Sequence, residues 1–418
     1  MTRAVQTQTR LWPWSLFAAL IAAAGLPIYI NAPKFYAESY GVNLASLGLV
    51  LAALRLIDVV QDPLLGWLAE VQRATRAVWV WLASAVMALA MYGLFAVVPP
   101  VAPLIWFALT MVALFSAFSF LTIVFYAQGV DHAASMGTVG HVRLAGWRET
   151  GSLLGVCVAA IAPTALAGVT ARPLTGFAIG FAVLALVATF AMRGNWQAGP
   201  PRPAPPPLLQ MMRPVWGDPL ARRLLILSFV NSAPVAITST LFLFYVESVL
   251  RLPDLAGPFL LLFFLSAAVS APVWSRLATR TGAKRVLAWG MALSVVTFFW
   301  AAFLMPGQIL SFAVISALSG AALGADMVLL PALFARRLAD LRDASESFAF
   351  GLWSFVSKLC LAFAAALLLP ALQAAGFSSG GVSAPAALTL LALLYAALPC
   401  ALKLLSLGLL WSLPLEKA

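Results

Sequence analysis

Charged residues are scarce in this sequence, and their scarcity excludes a water-soluble enzyme. They make up 9% of 418 residues, whereas soluble proteins carry roughly 25%. Cysteine is scarce too, and Cys157, Cys360 and Cys400 all fall within apolar runs, which indicates buried side chains and excludes a disulfide framework. No Gly-Lys-Ser/Thr nucleotide loop and no zinc-ligand or Ser–His–Asp cluster occurs. We therefore expect neither catalysis nor a cofactor.

Hydrophobic residues, by contrast, make up 63% of the chain. Because a membrane-spanning helix needs about 20 apolar residues, hydropathy predicts an all-α polytopic membrane protein with twelve transmembrane helices. The predicted spans cover residues 11–38, 43–70, 77–98, 102–128, 143–168, 173–193, 221–250, 256–279, 285–304, 308–335, 345–375 and 385–412.

The net charge of +11 is explained by the distribution of basic residues. With the N-terminus in the cytoplasm, twenty basic residues, Lys403 among them, fall in cytoplasmic segments and three fall outside. The remaining two, Arg55 and Lys358, lie within spans. Such an excess of Lys and Arg is typical of the cytoplasmic loops of multi-pass membrane proteins. It predicts a multi-pass protein of the bacterial inner (plasma) membrane, with both termini cytoplasmic and no nucleic-acid partner.

A proline-rich interruption divides the chain into two parts. Residues 194–219 contain Pro200, Pro201, Pro203, Pro205, Pro206 and Pro207. Because proline disrupts helix interiors, we predict an extended cytoplasmic tether. It separates six spans in residues 1–193 from six in residues 220–418. Two six-helix bundles joined in this way are the layout of the major facilitator fold, in which substrate binds between the halves.

The second predicted span carries an unusual set of charges. Asp58 and Asp62 lie about 40° apart on a helix, and Arg55 shares their face. Two carboxylates one turn apart resist ionising unless a cation lies between them. The arrangement therefore suits either a hard cation such as Na⁺ or a shared proton. A buried Arg55–Asp58 salt bridge is the alternative, but it leaves Asp62 unexplained.

Other ionisable residues in the spans complete a predicted charge network. Lys358 is one of only five lysines and lies in the middle of the eleventh span, where it needs an anionic partner. Asp58 and Asp62 are the candidates across the two halves, whereas snorkelling to a helix end is the alternative. Asp326 is deep in the tenth span and is expected to face the cavity. For Arg148 we expect gating or structural pairing rather than substrate contact.

The segment from Arg55 to Gly66, with Asp58, Asp62 and Pro63, resembles the cation motif of the glycoside–pentoside–hexuronide:cation symporter family. Lys358 resembles the lysine near that family's cation site. The resemblance implies Asp58, Asp62, Gln61 and Ser119 as cation ligands. It also places the family's two sugar-binding carboxylates at Ala22 and Thr122, so a galactoside substrate is unsupported. The same branch resembles lysolipid symporters, which need an apolar cavity.

Together these features predict a cation-coupled (Na⁺ or H⁺) secondary transporter. It would move a small solute, such as a sugar or glycoside, by alternating access, and it would act as a monomer in the lipid bilayer. Polar and aromatic residues in the spans provide candidates for the substrate cavity, and about half could instead be ordinary helix–helix hydrogen bonds. The candidates are Tyr29, Asn31, Thr122, Tyr126, Gln128, Asn231, Thr238 and Trp353.

Two further hypotheses use the same fold differently. Met87 and Met91, and likewise His132 and Met136, are spaced four residues apart. Thioether and imidazole ligands suit copper, so a soft-metal importer is one alternative, although methionine commonly fills gaps in apolar cores. The other alternative is a membrane assembly factor that does not transport. The costly charges in the second and eleventh spans argue against it, because a scaffold does not need them.

Overall fold

The computed structural model describes residues 10–137, 139–196, 208–341, 344–377 and 384–414. Within these residues the chain is helical and forms no strand. The helices are α1 (Trp12–Ala23), α2 (Leu26–Tyr40), α3 (Leu44–Val71), α4 (Arg76–Phe95), α5 (Pro103–Ala134), α6 (Gly140–Ala167), α7 (Pro173–Met192), α8 (Leu208–Gly217), α9 (Pro219–Phe244), α10 (Ala256–Thr281), α11 (Ala283–Phe298), α12 (Ile309–Asp340), α13 (Glu346–Ala374), α14 (Pro385–Ala392) and α15 (Leu398–Trp411).

These helices form the twelve predicted spans. Ten segments of the described chain are long and apolar enough to cross a membrane. The first span is broken into α1 and α2 at Gly25, and α3, which carries Asp58 and Asp62, is the second. In the last span, α14 continues through a π-helical turn into α15. The prediction of an all-α major facilitator fold is confirmed.

The prediction of an extended tether over residues 194–219 is wrong for part of that segment. Residues 208–217 form α8, with Pro214 inside it. The six prolines that suggested an extended chain all precede this helix, in residues 197–207, which lie outside the described residues. Met211 and Val215 are buried. Because α8 can bury these apolar side chains against its neighbours α9 and α13, helix is favoured over extended chain.

Two glycines mark tight turns between spans. Gly41 ends α2 with a φ of 65°, a left-handed conformation that glycine adopts without the steric cost of a Cβ. Gly282 joins α10 to α11 with a φ of 98°. These short turns make successive helices antiparallel. The ends of α3, α7, α10 and α15 therefore share one side of the molecule with the start of α9, which we call the linker side.

The two halves, α1–α7 and α9–α15, pack together closely at the linker side. A Cβ on Gly66 of α3 would lie 2.8 Å from the carbonyl oxygen of Ser347, and one on Gly351 of α13 would lie 2.7 Å from that of Asp62. A second contact joins α6 to α10, where Ser275 Oγ donates to the carbonyl oxygen of Val142 at 3.0 Å. On the opposite side, α2 packs against α1, α3, α5 and α6 of its own half.

Candidate functional site

A buried charge cluster joins the halves in the middle of the spans. Lys358 Nζ of α13 lies 3.1 Å from Asp62 Oδ1 and 3.0 Å from Asp62 Oδ2 of α3. It also lies 3.8 Å from Asp58 Oδ1. Asp58 and Asp62 are 4% and 0% exposed. The structure therefore brings together Lys358, Asp58 and Asp62, as the sequence predicted. Both carboxylates can face the lysine because residues four apart share one helix face.

Amide and hydroxyl groups surround these charges. Lys358 Nζ donates to Ser119 Oγ of α5 at 2.7 Å. Gln61 Nε2 donates to Asp58 Oδ1 at 2.9 Å, and Ser116 Oγ donates to Gln61 Oε1 at 3.0 Å. Gln61 and Ser119 thus both lie beside the acids. We call the group formed by Asp58, Gln61, Asp62, Ser119 and Lys358 the inter-half site.

Sequence reasoning missed two hydroxyls at the inter-half site. Ser354 Oγ donates to Asp62 Oδ2 at 2.5 Å, and Ser116 bonds Gln61 as described above. Helical spacing could have found both, since Ser354 precedes Lys358 by one turn and Ser116 precedes Ser119 by three residues. The side chain of Arg55, which was predicted to join this network, lies outside the described residues.

The oxygens of the inter-half site match the chemistry of a hard cation. The carboxylates of Asp58 and Asp62 and the hydroxyl of Ser119 surround the Lys358 ammonium, and the side chains of Gln61 and Ser354 bond these carboxylates. Hard cations bind oxygen ligands. The ammonium occupies the position that offers the most negative charge, so lysine and a metal cation would compete for it.

A second charge cluster lies within the second half, around Lys403. Lys403 of α15 forms an ion pair with Asp326 of α12 and donates to Asn231 Oδ1 of α9 at 2.7 Å. It is only 2% exposed. Lys403 was predicted to lie in a cytoplasmic segment, and this is wrong, because the lysine is enclosed between three helices. We call Asn231, Asp326 and Lys403 the intra-half cluster.

A third cluster lies in the first half, on α5 and α6. Arg148 Nε donates to Glu149 Oε1 at 2.8 Å, and the Tyr126 hydroxyl donates to the same oxygen at 2.8 Å. The Arg148 guanidinium also stacks over the Tyr126 ring at 3.7 Å from its centre. Arg148 is therefore paired with Glu149 and Tyr126 within the first half.

A central cavity of about 350 Å³ lies between the halves. Tyr126 and Glu149 line it from the first half, and Asn231, Asp326 and Trp353 line it from the second. Asp326 thus faces the cavity. The remaining lining is largely apolar and includes Phe264, Met327, Leu330 and Leu361. Such a mixture of an apolar wall with a few polar groups is typical of small-solute sites.

Four other candidate residues with described side chains do not line this cavity. Thr122 Oγ1 donates to the Phe118 carbonyl oxygen of its own helix at 2.7 Å, and Gln128 Oε1 accepts a bond from Arg76 at 2.7 Å. Thr238 lines a smaller neighbouring pocket. Asn31 is half-buried in α2. The side chain of Tyr29 lies outside the described residues.

The methionine and histidine pairs are placed as packing residues. Met87 and Met91 are completely buried in the apolar core of the first half. The His132 ring lies against Trp14 at 4.9 Å, and Met136 is half-buried against the same core. Among the described residues no group of three or more His, Cys, Asp or Glu side chains could hold a metal ion. This placement favours packing over copper binding.

Ionic contacts also close the linker side, which the sequence did not suggest. Arg73 Nη1 lies 3.3 Å from Glu70 Oε1 and 3.1 Å from Glu346 Oε2 of the other half. Ser345 Oγ donates to Glu70 Oε2 at 3.0 Å. These bonds, together with the Gly66 contact, hold the ends of α3 and α13 together. Arg73, treated as a topological charge in the sequence, is therefore part of an inter-half closure.

Twelve spans in two halves, a cavity between them and closure on one side define a membrane transporter of the major facilitator fold. The sequence matches the family described as MFS/sugar transport protein over residues 15–417. The chain therefore belongs to this family.

Solved structures of similar shape support the fold. One is a bacterial homologue of the iron transporter ferroportin in an outward-facing state, with a TM-score of 0.71, 16% identity, and coverage of 96% of this chain and 98% of that chain. Another is the human organic anion transporter MFSD10, with a TM-score of 0.62, 15% identity, and coverage of 96% and 98%. At such identities the likeness concerns the fold alone. No curated protein matches the sequence.

Proposed function

We propose that this chain is a cation-coupled secondary transporter of a small solute, and that Na⁺ or H⁺ binds at the inter-half site. It works as a monomer in the bacterial inner membrane, with both termini in the cytoplasm and without a cofactor. One observation carries the proposal: Lys358 of one half neutralises Asp58 and Asp62 of the other. The finer resemblance to glycoside–pentoside–hexuronide:cation symporters agrees with this choice of ligands and stays a prediction.

Competition with Lys358 supplies the coupling. The lysine reaches the carboxylates only while α3 and α13 are close, so its ion pair belongs to the conformation closed on the linker side. A cation that replaces the ammonium removes a bond between the halves. A ligand shifts a conformational equilibrium only by its differential affinity for the two states. The cation therefore changes the balance between states because it takes the place of an inter-half contact.

The central cavity is the proposed solute site. It contacts both halves and contains Trp353 and Ser357 of α13, the helix that carries Lys358. With the linker in the cytoplasm, the present conformation is closed toward the cytoplasm. Cation binding at Asp58 and Asp62 and solute binding beside α13 would then act on the same helix. A sugar or glycoside remains the solute class favoured by family membership, whereas the largely apolar lining also suits a lysolipid.

The first experiment uses the coupling ion itself as the probe. Thermal unfolding of the purified protein is compared in NaCl and in choline chloride, and then across pH without sodium. Ligands that bind only the folded state raise the melting temperature. We expect stabilisation by Na⁺ that Asp62→Asn abolishes or, if the ion is H⁺, a pH dependence of the melting temperature that Asp62→Asn reduces. Asp254→Asn, at an exposed acid between α9 and α10, is the matched control and should behave as wild type.

Two outcomes would contradict the proposal. One is a wild-type protein that responds neither to Na⁺ nor to pH. The other is an ion response that persists unchanged in a folded Asp62→Asn variant. Once the ion is known, the same assay with sugars, organic acids and lysolipids, with and without that ion, identifies the solute class by a further rise in melting temperature.

A further inference from the structure

The intra-half cluster is as deeply buried as the inter-half site, yet it has no part in the mechanism above. Asp326 and Lys403 are 7% and 2% exposed. Both belong to the second half, as does Asn231. A buried ion pair is weak evidence for stability, because desolvation of the two charges offsets much of their attraction. In a membrane span, such a pair is a candidate for function.

Asp326 separates two cavities. It lines the central cavity together with Asn231, and it also lines a smaller pocket together with Lys403. The smaller pocket has a volume of about 40 Å³, and one water molecule needs roughly 10–15 Å³ of such space. The pocket therefore has room for water on the side of Asp326 that faces away from the central cavity.

The smaller pocket extends from Asp326 away from the linker side. Its lining includes Thr238, which lies about five turns into α9 from the linker side, and Phe298, the last residue of α11. Ser294 and Ser319 add hydroxyl groups along its wall. The pocket thus provides a polar lining between the middle of the second half and the side opposite the linker.

One oxygen of Asp326 has no partner in this arrangement. Oδ2 bonds Lys403, but Oδ1 is buried and accepts no hydrogen bond from the described residues. A buried acceptor without a donor is costly. A water molecule or a proton on the carboxylate would satisfy it.

We propose that Asp326 is a second proton-binding site, which exchanges protons between the smaller pocket and the central cavity. A proton from water in the pocket binds the Asp326 carboxylate and makes it neutral. Lys403 keeps its charge and its bond to Asn231, so the cluster gains one positive charge. Release of the proton toward the central cavity restores the ion pair. The site is separate from Asp58 and Asp62 and does not depend on which ion binds there.

Few other titratable groups face Asp326. In the described residues around the two cavities, the uncharged side chains of α9, α10, α11 and α13 include Asn231, Phe263, Phe264, Ser294 and Ser357. The titratable or charged ones are Lys403 and Cys400 on α15, Tyr126 on α5 and Glu149 on α6. Glu149 is already held by Arg148 and Tyr126. Asp326 is therefore the acid best placed to exchange a proton with the smaller pocket.

Charge displacement after a pH jump tests the site without any substrate. Proteoliposomes on a solid-supported membrane receive a rapid pH change, and the transient current is recorded. To silence the inter-half site, the experiment starts from Asp58→Asn/Asp62→Asn. We expect this variant to retain a pH-dependent displacement, and we expect addition of Asp326→Asn to remove it. Asp340→Asn, at the exposed end of the same helix α12, is the matched control and should leave the displacement intact.

A second variant keeps the test informative if Asp326→Asn folds poorly. Lys403→Met removes the ammonium that favours the ionised carboxylate, so Asp326 should bind its proton at higher pH. We expect the midpoint of the displacement to shift upward, which a purely structural ion pair would not cause. Loss of all displacement in Asp58→Asn/Asp62→Asn alone would overturn the second site. The proposed function would still be supported if protein that retains Asp62 gave a current after a rapid increase in Na⁺ concentration and Asp62→Asn removed that current.

Discussion

The inter-half site and the intra-half cluster use the same chemistry in different places. Each pairs a lysine, half-buried in Lys358 and buried in Lys403, with a buried aspartate and adds a neutral hydrogen-bonding side chain. Lys358 and Asp62 belong to different halves, whereas Lys403 and Asp326 both belong to the second half. Movement of one half against the other must therefore break the first pair and can leave the second pair intact.

An ion pair between the halves and an ion pair within one half can serve different functions. A pair between halves contributes to the equilibrium between conformations, so anything that competes for it changes that equilibrium. A pair within one half travels as part of a rigid bundle, so it can bind an ion or proton in every conformation. Variants of the Lys358–Asp62 and Lys403–Asp326 pairs should therefore have similar effects on stability and different effects on conformation.

The largest expected effect comes from removing one lysine. Lys358→Met leaves Asp62 buried without its counter-charge, and Lys403→Met does the same to Asp326. Breaking a buried pair from one side costs about 3–5 kcal/mol, whereas replacing both partners is often neutral. We therefore expect a large fall in melting temperature in each single variant and substantial recovery in Asp62→Asn/Lys358→Met and Asp326→Asn/Lys403→Met.

Spin-label distances then distinguish the two pairs. Labels at the exposed residues Thr75 and Thr279, in a background with the three cysteines replaced by alanine, report the separation of the halves on the linker side. Asp62→Asn/Lys358→Met should increase the population with the longer distance, and Asp326→Asn/Lys403→Met should not. An equal shift in both double variants would show that the distinction between halves has no conformational consequence.

The sequence predicted the inter-half site better than the intra-half cluster for a physical reason. Asp58 and Asp62 share a helix face by spacing alone, and Lys358 is too far from a span end to snorkel. Lys403 lies about nine residues from the predicted end of its span, where a lysine can be taken for a topological charge. Its contact with Asp326 depends on how α12 and α15 pack, which one sequence does not give.

Contacts at the linker side could not be predicted from the sequence either, although the spans themselves could. The twelve spans could be predicted from hydropathy, because each must be long and apolar. The pair of Arg73 with Glu346 joins residues 273 positions apart, so no local pattern indicates it. Helix α8 was missed because the prolines before residue 208 dominated the composition of the whole interruption.

A smaller effect is expected from an uncharged contact between the halves. Gly66→Val puts a side chain where a Cβ already lies 2.8 Å from the carbonyl oxygen of Ser347. Overpacking of this kind costs typically 1–3 kcal/mol, and here the halves can relieve it by separating. We expect the longer distance between labels at Thr75 and Thr279 to become more populated. Gly48→Val, in the same helix with no neighbouring atom within 4 Å of its Cβ, is the control.

The smallest effect concerns an ion pair near the surface of the second half. Asp218 caps α9 by accepting from the Ala221 N–H at 2.7 Å, and it bonds Arg337 of α12 through Nε at 3.0 Å and Nη2 at 2.5 Å. The Arg337 bonds, and then the backbone N–H of Ala221, lower the pKa of Asp218. Asp218→Asn keeps a capping side chain and loses the charge, whereas Asp218→Ala loses both.

A lowered pKa gives a stabilisation that is present above the unfolded-state pKa of about 3.9 and disappears as pH falls through the folded-state pKa. Asp218→Asn should therefore reduce the melting temperature slightly near pH 7, and the difference from wild type should shrink toward low pH. Loss of the cap in Asp218→Ala should cost about 1 kcal/mol more at either pH. Because Asp218 and Arg337 lie in one half, the distance between labels at Thr75 and Thr279 should not change. A change in that distance would mean that ion pairs within one half also influence the equilibrium between conformations, which we have attributed to pairs between the halves.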